Sequence, residues 1–171
     1  MSGFFPDPKP EKKVKEKYKG IKRTPLKKKP FTKEVSEKAD TPELIRILDN
    51  AMSEFVRLMR ADKHGIVQCF TCPNKDHWTE MQCGHFIPRK SLATRHKIEN
   101  CQVQCPYCNE GLAGNLAVYA VKLDEKYGVD TAYNLKVLSK TTCKRPAFEY
   151  QELIETYTEC VTKLKANLIE Q

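Results

Sequence analysis

Two Cys-x-x-C pairs, Cys69/Cys72 and Cys105/Cys108, separated by 32 residues, constrain this chain more than any other feature. A pair at that spacing offers both sulfurs to one ion from a single tight turn, and four thiolates suit a tetrahedral structural zinc. The two pairs meet only if the chain between them folds back as a hairpin. No secretory pattern precedes them, since Phe4-Phe5 runs at once into Pro6 and a series of lysines. In a reducing compartment such pairs favour metal over disulfide, and the expected location is the cytoplasm. Cys143 and Cys160 read as small buried hydrophobes. Cys83 and Cys101 also lack paired spacing, but they lie close enough to the knuckles to be alternative zinc ligands.

The chain has 171 residues and a formal net charge of +8. Residues 1–40 hold 13 Lys/Arg against 6 Asp/Glu, whereas residues 41–171 hold 17 against 16. The excess charge therefore belongs to a tail on a nearly neutral body. That tail has few apolar positions and predicts disorder over 1–40, with Lys27, Lys28 and Lys29 as candidate phosphate contacts. No apolar run approaches the roughly 20 residues that span a bilayer, so no membrane role is expected.

A helix is predicted from Asp40-Thr41-Pro42-Glu43 onward, with Leu44, Leu48, Met52, Phe55 and Met59 as its apolar stripe and Gly65 as its stop. Ile66-Val67 reads as a strand entering the first knuckle, Pro73–Asp76 as a turn, and Trp78–Phe86 as a strand. Asn100–Gln104 reads as a second strand entering the second knuckle. A helix capped by Asn115 follows, with Leu116, Tyr119, Ala120 and Leu123 on one face and Gly128 at its end. Asp130 to Leu138 is a short helix. The last helix carries Leu153, Tyr157, Val161, Leu164 and Leu168 along a side that serves as core cover or as a dimer surface. The fold class is α+β: a small zinc-stapled ββα core flanked by helices. The expected divisions are a tail over 1–40, a leading helix and zinc-bound core over 41–128, and a helical segment over 129–171.

Between the knuckles lies Cys83-Gly84-His85-Phe86-Ile87-Pro88-Arg89; Asn100 opens the next strand, and Asn109 follows Cys108 directly. A histidine at a strand end, an asparagine on the next strand and a polar ligand before a helix resemble the HNH, or ββα-metal, endonuclease pattern. In such a centre the histidine takes a proton from water. A divalent ion, Mg2+ or Mn2+, stabilises the scissile phosphate. Asparagine orients the histidine or offers a neutral oxygen to the ion. Each residue also has a bland reading: a surface histidine, a turn asparagine at 100, a helix cap at 109. Arg89, Lys90, Arg95, His96 and Lys97 form the densest basic stretch outside the tail. Of these, Arg89, Lys90, Arg95 and Lys97 are candidate DNA-backbone contacts.

The segments 83–89 and 100–109, with Gly114-Asn115, Tyr119, Leu123 and Tyr127-Gly128, resemble the lambdoid phage NinG/Rap recombination protein family over roughly residues 41–128. The double knuckle followed directly by asparagine is also similar to phage endonuclease VII resolvases. These resemblances imply a structure-specific endonuclease that cuts branched recombination intermediates such as Holliday junctions. They imply His85 as water activator or ion ligand, Asn109 as ligand of the catalytic ion and Asn100 as support. A homodimer and phage or host recombination proteins are the implied partners. The sequence departs from the pattern at Gly84, where an acid or histidine ligand is usual, with Glu80, Asp76 or His96 as substitutes. It departs again before Cys69, where the family's N-terminal knuckle has no counterpart. A non-catalytic zinc-ribbon DNA- or RNA-binding protein and a zinc-stapled adaptor are the competing readings.

Overall fold

The computed structural model describes residues 41–169; the basic tail, with Lys27, Lys28 and Lys29, lies outside the described residues. The elements run α1 (Thr41–Leu58), β1 (Ile66–Gln68), β2 (Lys75–His77), β3 (Gln82–His85), α2 (Leu92–Arg95), β4 (Cys101–Gln104), a π-helical turn (Tyr107–Gly111), α3 (Leu116–Tyr127), α4 (Thr131–Leu138) and α5 (Ala147–Ile169). Helix and sheet are mixed, as the α+β reading expects. Among the described residues, no helix is long and apolar enough to cross a membrane.

Leu44, Leu48, Met52 and Val56 recur at helical spacing and bury one side of α1. The predicted stripe drifts off this side at its end. Phe55 is only partly buried, against Tyr157 with ring centroids 5.1 Å apart, and Met59 lies past the end of the helix, exposed. Tyr150 and Ile154 of α5 close over Leu44 and Leu48, and Lys165 Nζ reaches Glu54 at 2.7 Å. The last helix thus serves as core cover, packed on α1. Its buried residues are Tyr150, Ile154 and Val161, a register shifted from the predicted one.

The strands form two separate antiparallel pairs. In the first, Ile66 faces His77 and Gln68 faces Lys75, so the first knuckle is the turn of a hairpin. The predicted turn at Pro73–Asp76 is partly strand β2. The predicted strand from Trp78 shortens to Gln82–His85, because Trp78 and Met81 give their carbonyls to Arg57 Nη1, at 3.2 and 3.3 Å, rather than to a neighbouring strand. In the second pair, Gln82 faces Gln104 and His85 faces Cys101. Gly128 ends α3 at φ +104°, a conformation L side chains rarely adopt. Asn115 stands at the start of α3 but does not cap it with its side chain. Its backbone is left-handed, and its Nδ2 donates instead to Thr71 O at 3.4 Å.

Asp49 of α1 holds the basic loop between β3 and β4. It accepts from Arg95 Nε and His96 Nε2, both at 2.9 Å, and Arg95 Nη1 donates to Arg89 O at 3.0 Å. Burial pushes the Asp49 carboxyl up, but its bonds to Arg95 and His96 outweigh this and hold it well below the usual carboxylate range. A depressed carboxylate stabilises the fold fully above its unfolded value near 4 and loses that contribution as pH falls further. Asp49→Ala is expected to cost about 1–3 kcal/mol, since it strands two part-buried partners. Asp49→Asn should flatten the loss of stability seen below about pH 4, as chemical denaturation across an acid series would show.

Candidate metal centres and nuclease residues

The first centre is the one the cysteine spacing predicts. The sulfurs of Cys69, Cys72, Cys105 and Cys108 all lie within 4.8 Å of one another, and Cys72 Sγ stands 3.7 Å from Cys105 Sγ. Two thiolates on one tetrahedral ion, with bonds of about 2.3 Å, are about 3.8 Å apart, so the group fits a structural metal such as zinc. The backbone supports anionic sulfur: Cys105 N–H donates to Cys69 Sγ at 3.3 Å and Cys108 N–H to Cys105 Sγ at 3.5 Å. Burial works against ionisation of Cys69, but the Cys105 amide and the Thr71 hydroxyl prevail and bring the thiol down to about 7. Burial pushes Cys105 up to about 11. A metal held here would take the four sulfurs as thiolates, their protons being displaced to solvent. Cys83 and Cys101 are not in this group; the four cysteines that could hold its metal are the two knuckle pairs.

The three nuclease candidates are fixed in three different ways. Asn100 is fully buried. Its Oδ1 accepts from Ile87 N–H at 2.7 Å and its Nδ2 donates to Ile87 O at 3.1 Å. Both ends of the carboxamide are thus used to close the loop on itself at Ile87. Asn109 donates Nδ2 to Gln82 Oε1 at 2.6 Å, and Gln82 Nε2 donates to Glu110 Oε1 at 2.7 Å. Glu110, an acid beside Asn109, was not among the sequence candidates; the signal for it was adjacency alone.

His85 is half-buried and groups with Cys83 and Cys101, its ligand nitrogen and their sulfurs lying within 4.8 Å of one another. Burial, then the charge of Arg89, push its imidazole down to about 4, so it is neutral at physiological pH. Strand alternation puts Cys83 and His85 on one face of β3 and Gln82 and Gly84 on the other. Asn109, bonded to Gln82, therefore belongs to the face opposite His85, and the structure does not gather His85, Asn100 and Asn109 around one point.

Gly84 explains its own missing side chain. A Cβ there would lie 2.0 Å from Gln104 Oε1, and Tyr119 Oη sits 3.1 Å from Gly84 O and 3.2 Å from Asn100 O. An acid at this position has no room. The proposed substitutes are engaged elsewhere: His96 on Asp49, Glu80 with the Thr79 hydroxyl, Asp76 with the His77 amide. Of the basic candidates, Arg89, Lys90 and Lys97 are exposed. Arg95 is not available for phosphate, because Asp49 and the Arg89 carbonyl take its guanidinium.

The family model described as Bacteriophage Lambda NinG protein matches residues 7–167. The chain belongs to the NinG family. The match takes in most of the basic tail and nearly all of α5, well beyond the 41–128 span of the recognisable motifs. No curated protein and no solved structure matches the chain.

Two outcomes are expected for this region. Cys105→Ala, or chelation of the ion, should unfold the paired knuckles, since in small zinc domains metal binding supplies about 10 kcal/mol of folding free energy. Trp78, the single tryptophan, would report this by a red-shifted emission alongside loss of bound zinc. Gly84→Ala should destabilise by about 1–3 kcal/mol through its collision with the Gln104 carboxamide, measured as a lowered thermal midpoint.

Proposed function

We propose that this NinG-family chain, whose membership implies a role in phage recombination, is a divalent-metal-dependent endonuclease of HNH type acting on branched DNA. What carries the reading is the Asn100 clamp. Its two bonds to Ile87 fix the loop after β3, which follows His85 at the strand end and carries the exposed cations Arg89, Lys90 and Lys97. A phosphate backbone drawn to those cations is brought to the histidine. His85 activates the attacking water, directly or through an ion it ligates. Asn109 offers an oxygen to a hard ion such as Mg2+ or Mn2+, with Glu110 as the acid that Gly84 cannot supply. Shape rather than sequence is the expected basis of recognition. Two cuts on one junction call for two centres, which a homodimer would provide through a surface other than the α1-facing side of α5.

A second reading, a zinc-ribbon protein that binds DNA without cutting it, is favoured by one observation: His85 and Asn109 stand on opposite faces of the hairpin.

The reading is tested with purified protein, Mg2+ or Mn2+, and linear duplex, single-stranded and four-way-junction substrates. The junction should be cut in preference. His85→Ala should lower the rate by roughly 10²–10⁴-fold while the metal of the four-cysteine group and the circular dichroism spectrum persist. Binding without cleavage in every metal condition rejects the enzyme in favour of the second reading.

A further inference from the structure

The register of the β3–β4 hairpin does something the cysteine spacing does not announce. His85 lies directly opposite Cys101, and Cys83 lies two residues before His85 on the same face. Two thiols and an imidazole are thereby presented side by side, with their donor atoms within 4.8 Å of one another. Neither cysteine belongs to the knuckle centre, and Asp49, the nearby carboxylate, is engaged by Arg95 and His96. We infer that Cys83, His85 and Cys101 form a second metal site, for a zinc-like divalent ion held by three protein ligands.

The donor set selects the ion. Two sulfurs and one nitrogen are soft to borderline ligands, suited to zinc and poorly suited to Mg2+ or Mn2+, which prefer oxygen. The charge balance favours the site as well. Two thiolates and a neutral imidazole on a divalent cation sum to zero, so the loaded group enters the core without net charge. The four-thiolate centre, by contrast, nets about −2. Arg57 lies close enough to feel the charge of Cys83, and Arg89 that of Cys101. In the thiol form Cys101 Sγ donates to Arg95 O at 3.3 Å; on loading, that proton leaves with the incoming metal, as does the one on Cys83.

Three protein ligands leave a tetrahedral ion one position for solvent. Cys83 and Cys101 are buried, and His85 is the half-buried member, so the open position lies on the histidine's side. His85 in this site is a ligand, and the inference holds whether or not the chain cuts DNA.

The test is metal stoichiometry on the full chain. Metal-free, reduced protein is titrated anaerobically with Co2+ while the visible and charge-transfer bands are recorded, and the zinc content of protein purified without chelator is measured in parallel. Two equivalents per chain are expected, one with a four-sulfur spectrum and one with a two-sulfur, one-nitrogen spectrum. His85→Gln and Cys101→Ser should each lose the second equivalent and keep the first. A single equivalent in the unsubstituted chain overturns the inference, as does retention of two in both His85→Gln and Cys101→Ser. Should either variant fail to fold, the stoichiometry and spectra of the unsubstituted chain still decide.

Discussion

Everything around the hairpins depends on the convergence of four sulfurs. Two-stranded sheets with strands of only three or four residues are not stable alone in water, and this chain has two of them, unjoined as sheets. What couples them passes through the knuckles. Phe70 N–H donates to Val103 O at 2.7 Å, and Cys105 N–H donates to Cys69 Sγ. The first knuckle thus hangs on the last strand, and the second knuckle on the first. A metal at this crossing would replace the large core that so small a set of strands cannot build.

Once the crossing is made, the β3–β4 hairpin has two chemically different faces. One carries Gly84 and Gln104 and receives α3, whose fully buried Tyr119 places its hydroxyl between the carbonyls of Gly84 and Asn100. The other carries Cys83, His85 and Cys101. Buried amides hold the first face at fixed positions: Gln104 Nε2 donates to Thr71 Oγ1 and Gly114 O at 2.9 and 2.8 Å, and Gln102 Nε2 to Ile98 O at 2.8 Å. An apolar side chain there would pack but would not register the knuckle loop against α3. Directional bonds specify one arrangement where nondirectional contacts permit several.

Much of this was legible before any coordinates. The convergence of the four knuckle sulfurs followed from spacing alone, because a two-residue gap brings each pair to a single turn. Helices α3 and α4 followed from periodicity and from Gly128. What escaped was set by tertiary partners. Strand β2 escaped because Pro73–Asp76 has turn composition and pairs only through its contact with β1. The stretch before Gln82 escaped because Arg57, far away in sequence, takes its carbonyls. The loss of Arg95 to Asp49 was invisible for the same reason: a basic cluster read along the chain does not reveal which of its members face inward. Cys83 and Cys101 lack paired spacing, and only strand register brings them to His85.

The absence of an acid at position 84 changes meaning in this light. Taken as a motif, glycine in place of a metal ligand argues for a decayed nuclease centre. Taken as packing, it is required: the Gln104 carboxamide occupies the volume of a side chain at 84, and that same carboxamide ties the knuckle at Thr71 to the start of α3 at Gly114. A carboxylate at 84 would have to displace this tie and lie buried without a cation. The chain therefore cannot carry both the usual ligand and its own hairpin-to-helix bond. On the proposed reading, an ion on that face would be met from the π-helical turn, where Asn109 and Glu110 both bond Gln82, and an ion on the other face by His85 and its two thiols. Glycine at 84 would then separate two proposed metal chemistries, oxygen ligands on one face and sulfur and nitrogen on the other.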